Sequence, residues 1–356
     1  MHKLLSIVIV VAATLLVNDC DAQRRRPSRP AAKPLRIIQL EVSSSARAEI
    51  TTQQRWMEML SQVGADNVRS LTSPLVSGPE VKEIQSSRAT TIKVKGVIQG
   101  SKLHLPGKSF SIRDAGSIRQ YLAALRADGT ETALAEKQAF GLTAEQLVEV
   151  HTALSSTLEK STLGMPTSDV VGDMLKKAGI ELVLTPASRE LMRNDSPINE
   201  ELKGLSLGTS LAAAMRPAGM VLSVERKQGG SPRLLIAKHN QVAEFWPVGW
   251  PNDANISDVH PKLMERQPLE IRNFSLAKVL KAIEKRAELP FLYDRNSLAL
   301  AGVDIDTTKV TLVNKKIAYL NAVQKMLSQT KPRLRAELRV DDDDKPFLWI
   351  STSNKR

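Results

Sequence analysis

Three short runs in this chain hold the residues with chemical potential. The first is Gly204-Leu205-Ser206-Leu207-Gly208, a Gly-x-Ser-x-Gly string. In serine hydrolases that string exposes a nucleophile on a sharp turn between a buried strand and a helix. His239 or His260, with an aspartate such as Asp253, follows Ser206 in the chain order of such a triad. The residues before it, Asn199-Glu200-Glu201-Leu202-Lys203, are too polar for the central strand of a hydrolase sheet. A helix does follow, with Ser206 or Thr209 placed to cap it. Helix capping is therefore the favoured reading, and a serine hydrolase using Ser206 is the alternative.

The second run is Asp341–Asp344. Four carboxylates suit calcium, but the glycine and distal glutamate of an EF-hand loop are missing. The run lies between two alternating strands, so a solvated hairpin turn is expected. The third run, Glu244-Phe245-Trp246-Pro247-Val248-Gly249-Trp250-Pro251, clusters aromatic side chains in a segment that proline and glycine keep from being helical. Two readings compete. Phe245, Trp246 and Trp250 form a binding platform for a glycan or peptide, or they clasp the flanking segments together; the clasp is favoured. Elsewhere the chemistry is sparse. His104, His151, His239 and His260 have no metal-ligand spacing, and no Cys–His pair is available. No cofactor and no metal are expected.

The elements that would position these runs form an internal duplication. In the later copy, Leu269–Ile271 reads as a strand and Ser275 as an N-cap. Leu276, Val279, Leu280 and Ile283 make one helical stripe, ended before Pro290. Phe291–Tyr293 and the segment around Val310 and Leu312 read as strands. Ile317, Leu320, Val323 and Leu327 mark a second helix, and Leu334–Val340 and Pro346–Ser351 are strands flanking the acidic turn. The earlier copy runs in the same order. Val171, Met174, Leu175 and Ala178 form its first stripe, with a stop at Gly179. A strand at Ile180–Leu184 and a gap and strand within Ile198–Leu205 follow. Leu211, Ala214, Met215 and Ala218 form the second stripe, and strands at Met220–Val224 and Arg233–Lys238 complete it.

Within this pattern, Ser-Leu-Ala-Lys-Val-Leu-Lys-Ala-Ile (275–283) and Asn-Lys-Lys-Ile-Ala-Tyr-Leu-Asn-Ala-Val (314–323) resemble the short N-terminal modules of secretins and TonB-dependent receptors. That resemblance implies small periplasmic βαββαββ domains that bind other proteins. Taken whole, the chain is similar to a group of uncharacterised secreted planctomycete proteins. Glu244–Trp250 and Lys345-Pro346-Phe347-Leu348-Trp349-Ile350 carry that likeness, which implies no activity.

Residues 1–22 read as a signal peptide: Lys3, the apolar run Leu4–Val17, and Cys20-Asp21-Ala22 before a cut at Gln23. A membrane anchor and lipid attachment at Cys20 are the weaker readings. Export to the periplasm or outside the cell is expected, and cleavage would remove the single cysteine. The chain has 50 Lys+Arg against 38 Asp+Glu, a formal charge of +12. Such a surface favours an anionic polymer, an acidic envelope protein or peripheral membrane contact; export argues against nucleic acid. Residues 23–35 form a basic, proline-rich linker. In it Arg24, Arg25, Arg26, Arg29 and Lys33 are candidates for an electrostatic tether, beside the plainer reading of a spacer.

Residues 36–128 read as a mixed α/β domain, with Trp56 on an apolar helical stripe and so in the core. A connector at 129–157 has a capping box at Thr143–Gln146. The modules occupy 158–238 and 269–356, with the aromatic linker 239–268 between them. The expected fold class is α+β, and the expected function is non-catalytic binding or scaffolding in the cell envelope. The serine hydrolase is the alternative, and the oligomeric state is left open.

Overall fold

The structure is a computed structural model and describes residues 35–44, 50–72, 75, 78–194 and 196–353. Residues 1–22, read from the sequence as a signal peptide, and the basic residues Arg24, Arg25, Arg26, Arg29 and Lys33 lie outside the described residues. The fold is α+β.

The N-terminal domain comprises β1 (Leu35–Ser44), α1 (Ile50–Ser61), β2 (Asn67–Leu71), β3 (Glu80–Gln85), β4 (Ala89–Gln99), β5 (Lys102–Leu105), β6 (Lys108–Ser111) and α2 (Ala115–Leu134). Strand β1 lies parallel to β2 on one side and to β4 on the other. The far edge of β4 is shared by β3 and β5, and β6 pairs with β5. Alternation along β4 places Ile92, Val94 and Ile98 on one face of the sheet, in a core with Ile38, Leu40 and Val42 of β1, Leu122 of α2 and Trp56 of α1, the last at 0% exposure.

Next come α3 (Ala144–Leu154), α4 (Thr167–Ala178), β7 (Leu182–Leu184), α5 (Pro186–Asn194), α6 (Leu207–Met215), β8 (Met220–Arg226) and β9 (Pro232–Lys238). The capping box on α3 is present, with Thr143 and Gln146 each satisfying the other's backbone N–H. Leu142, Val150 and Leu154 pack into the first module's core. The linker contributes β10 (Trp250–Pro251) and α7 (Ile256–Val259). The second module is β11 (Arg266–Ser275), α8 (Leu276–Ala287), β12 (Phe291–Tyr293), α9 (Arg295–Leu300), β13 (Lys309–Ala318), α10 (Tyr319–Leu327), β14 (Leu334–Val340) and β15 (Pro346–Thr352).

The duplication is visible in the topology. Strand β7 is parallel to β9, with β8 antiparallel on the other side of β9. Strand β12 is parallel to β15, with β14 antiparallel on the other side of β15. Helices α4 and α8 have 12 residues each, and α6 and α10 have 9 each. The antiparallel ribbon β11–β13 pairs Arg266 with Ala318 at one end and Ser275 with Lys309 at the other. In the first module the same place holds two isolated bridges, Thr157–Ser206 and Pro166–Pro197, at matching separations. Setting aside α9, the second module reads βαββαββ.

Several local expectations are corrected. Ile317 belongs to β13 rather than to the second helix, because its side chain faces the core from the ribbon. The segment Ile198–Leu205 forms no strand, and the isolated bridges lie just outside it at Pro197 and Ser206. Ser275 starts α8 without capping it. The N–H groups of Leu276 and Ala277 go instead to the carbonyls of Thr308 and Ile305, and Ser275 Oγ is buried with no hydrogen-bond partner among the described residues. Helices α5 and α9 and strand β3 were not expected from the sequence pattern.

The three parts are joined by side chains. Asp128 of the N-terminal domain pairs with Arg226 of the β8–β9 hairpin, their side chains 5% and 12% exposed. Between the modules, Arg216 pairs with Asp294 at 2.8 Å, and Arg295 with Glu200.

Candidate functional site

The three chemically suggestive runs meet in one buried cluster where the modules join. The aromatic linker runs along the edge of both sheets. Trp246 N–H donates to the Leu222 carbonyl of β8 at 2.6 Å, and Ser223 Oγ donates to the Glu244 carbonyl at 2.7 Å. Further on, Trp250 and Pro251 pair with Val340 and Arg339 of β14, and Arg339 donates to the Val248 carbonyl at 2.9 Å. One segment therefore covers an edge of each sheet.

Asp342 stands at the centre. Its Oδ2 accepts from Ser206 Oγ at 2.6 Å, Thr209 N–H at 2.7 Å and Thr209 Oγ1 at 3.1 Å. Its Oδ1 accepts from the indole N–H groups of Trp246 and Trp250, both at 2.9 Å. Asp341 accepts the Ser206 N–H at 2.6 Å and the N–H groups of Asp343 and Lys345. The two carboxylates are 1% and 5% exposed, so the acidic run is a solvated turn only at Asp343 and Asp344. Burial pushes the Asp341 carboxyl above its ordinary value, opposed by its three backbone hydrogen bonds and reinforced by the adjacent Asp342 charge. No cation pairs with Asp342 among the described residues. Five donors, from the N-terminal turn of α6 and the two indoles, hold its oxygens instead.

Gly208 and Gly249 matter here for close approach. A Cβ on Gly208 would lie 2.5 Å from Asp342 Oδ2 and 2.8 Å from Trp246 Nε1. Gly249 has φ +65 and sits against the Phe347 ring, where a Cβ would overlap it. Ring packing closes the cluster. Trp246 stacks on Phe140 at 5.9 Å and meets Trp250 edge-on at 5.5 Å.

The sequence candidates are thus accounted for individually. Ser206 is 0% exposed and caps α6, its hydroxyl donating to Asp342 and accepting the Thr209 N–H. No histidine hydrogen-bonds to it among the described residues. His239 meets the Phe245 ring at a tilt, His260 bonds the Ala287 carbonyl, and Asp253 is exposed. Trp246 is 2% exposed, which leaves neither ring face open as a platform. Trp250 is half-buried, and Phe245 is 38% exposed beside His239. No group of acidic, histidine or cysteine side chains suited to a metal ion occurs among the described residues.

A second constellation went unread in the sequence. Glu200 is 9% exposed and pairs with Arg295 of the second module, whose guanidinium lies over the Tyr293 ring at 5.6 Å. Burial raises the Glu200 carboxyl to about 7 against the lowering effect of Arg295, with Glu284 adding a smaller upward push. Nothing in the run Asn199–Lys203 marked Glu200, because its partner lies 95 positions away. No family model, no curated protein and no solved structure matches the chain.

Proposed function

We propose that this chain is an exported, non-catalytic binding or scaffold protein of the cell envelope, with an anionic polymer or an acidic protein as its partner. The observation carrying this reading is that Ser206, Asp342, Trp246 and Trp250 are occupied by one another inside the joint between the modules. The side chains best suited to chemistry serve as a rivet, which leaves the outer surface to do the binding.

That surface is basic. Lys278, Lys281 and Lys285 recur at i, i+3 and i+7 on the exposed face of α8, and none forms an ion pair among the described residues. Glu284, on the same helix, instead accepts the Phe291 N–H. Such a stripe attracts extended anions. The basic linker residues Arg24–Lys33 would add to it, and the likeness of the modules to protein-binding domains of secretins and TonB-dependent receptors agrees with a binding role.

The test is retention of the full chain on immobilised polyglutamate beside neutral dextran, at low and high salt. Retention on the anionic support alone, weakening steeply with salt, is expected. Deleting Arg24–Lys33, or replacing Lys278, Lys281 and Lys285 by Glu, is expected to weaken it. Retention indifferent to salt and to both changes rejects the reading.

A further inference from the structure

A cleft of about 210 Å³ lies beside the C-terminal half of α6, where the first module meets α9 of the second. Its walls are mainly aliphatic, from Leu191, Pro197, Ile198, Ala213, Ala214 and Pro217, with Thr167, Ser196 and Asn199 adding neutral polar groups. Glu200 and Arg295 supply the charged part of the lining. No aromatic ring lines it among the described residues, so none of them stacks on a base or a sugar there. Its volume is below the roughly 300–1,000 Å³ of sites for drug-sized ligands, which limits an occupant to a few carbons.

The polar groups are incompletely used. Arg295 spends Nε on Glu200, and its two terminal nitrogens make no hydrogen bond among the described residues. The second oxygen of Glu200 likewise has no hydrogen-bond partner there. A planar fork of unused donors beside an aliphatic wall matches a planar anion with an apolar tail. We propose that this cleft binds a carboxylate carrying a short aliphatic tail, the tail lying among Leu191, Ile198 and Ala214 and the carboxylate on the terminal nitrogens of Arg295.

Glu200 is the anion that would compete. Arg295, Glu284 and Tyr293 are the charged or titratable groups around it. Its raised carboxyl is protonated in good part at and below neutrality, where it donates a hydrogen bond to a bound carboxylate instead of repelling it. The same ligand chemistry has two sources: a free short-chain acid, or the C-terminal carboxylate of a peptide ending in an aliphatic residue. The inference goes beyond envelope binding and stands apart from the polyanion test, since it concerns a different surface.

The experiment follows backbone amide shifts of Ala213, Ala214 and Glu200 in the full chain at about pH 6. The titrants are isovalerate, N-acetyl-Ala-Val and the amide of that dipeptide. Saturable shifts with one or both acids, and none with the amide, are expected. Arg295→Gln should weaken binding by about tenfold or more. Ala218→Leu fills the exposed rim of the same cleft without touching the ion pair and should weaken it similarly. Tighter binding of isovalerate assigns a free acid, and tighter binding of the dipeptide assigns a peptide terminus. Absence of shifts with both acids overturns the proposal. So does equal response to the amide, or affinity unchanged in both variants.

Discussion

Asp342 is buried, and its two oxygens accept five hydrogen bonds with no cation paired to them among the described residues, so its surroundings are built entirely of donors. Asp342→Asn places an amide N–H₂ against N–H and O–H donors and should cost about 2–4 kcal/mol, read as a shift in the urea midpoint. Gly208→Ala pushes a methyl into the same carboxylate and is expected to cost about 1–3 kcal/mol. Ser206→Ala should cost about 1–2 kcal/mol through the lost cap. A serine-directed fluorophosphonate should leave the folded wild type unlabelled; stoichiometric labelling at Ser206 would restore the hydrolase reading. Glu200 gives a pH signature. Its carboxyl is raised from 4.5 to about 7, so its contribution to stability is full below about pH 4.5 and is lost as pH rises through about 7. Stability measured against pH, wild type minus Glu200→Gln, should fall by on the order of 1–3 kcal/mol across that window. A flat difference would show that Glu200 is not raised. At this scale the sequence exposed the participants and hid their meeting. Ser206, Trp246 and Asp342 stood out by type, but the contact between positions 206 and 342 is set by how two modules dock, which no local pattern encodes.

Paired elements test each other. Helix α4 ends on Gly179 at φ 67, and α8 ends at the equivalent place on Glu288 at φ 52, a left-handed conformation that a side chain disfavours. Glu288→Gly should therefore raise stability by about 0.5–1 kcal/mol, while giving up an exposed ion pair with Lys262 that is worth little. A loss of more than that range by thermal unfolding would mean that the ion pair dominates. The helices α4, α8 and α10 were legible from their apolar stripes and the glycine or proline that follows each, and the strands β14 and β15 from the alternation of Leu334–Val340 and the acidic turn between them. Strand β3 and helices α5 and α9 were not. Each is short, and Asp294, for example, caps α9 while its carboxylate holds Arg216 of the other module. The equivalence also shows what differs. Gly208 corresponds to Leu320, the second residue of α10, which is buried in the second module's own core.

At the scale of the molecule, the cluster couples two modules that each have their own core. Leu292, Phe347 and Trp349 come from the second module yet pack in the core of the first, together with Trp246 and Val248 of the linker. Melting one module would strip these residues of their packing and leave Asp342 or its donors without partners. Wild-type thermal unfolding should therefore follow one transition across Leu163–Thr352, with tryptophan fluorescence and amide exchange of β9 and β15 changing together. Trp246→Ala removes the stacked ring and one donor and should cost roughly 3–5 kcal/mol. Trp250→Ala, at a half-buried site, should cost less. Because Trp246 belongs to the joint rather than to either sheet, its loss should also separate the transitions, with protection of β9 lost before that of β15. Trp246→Ala melting like wild type would reject the clasp. A large loss with the transition still single would place the stabilisation within the first module alone and remove the coupling between the two.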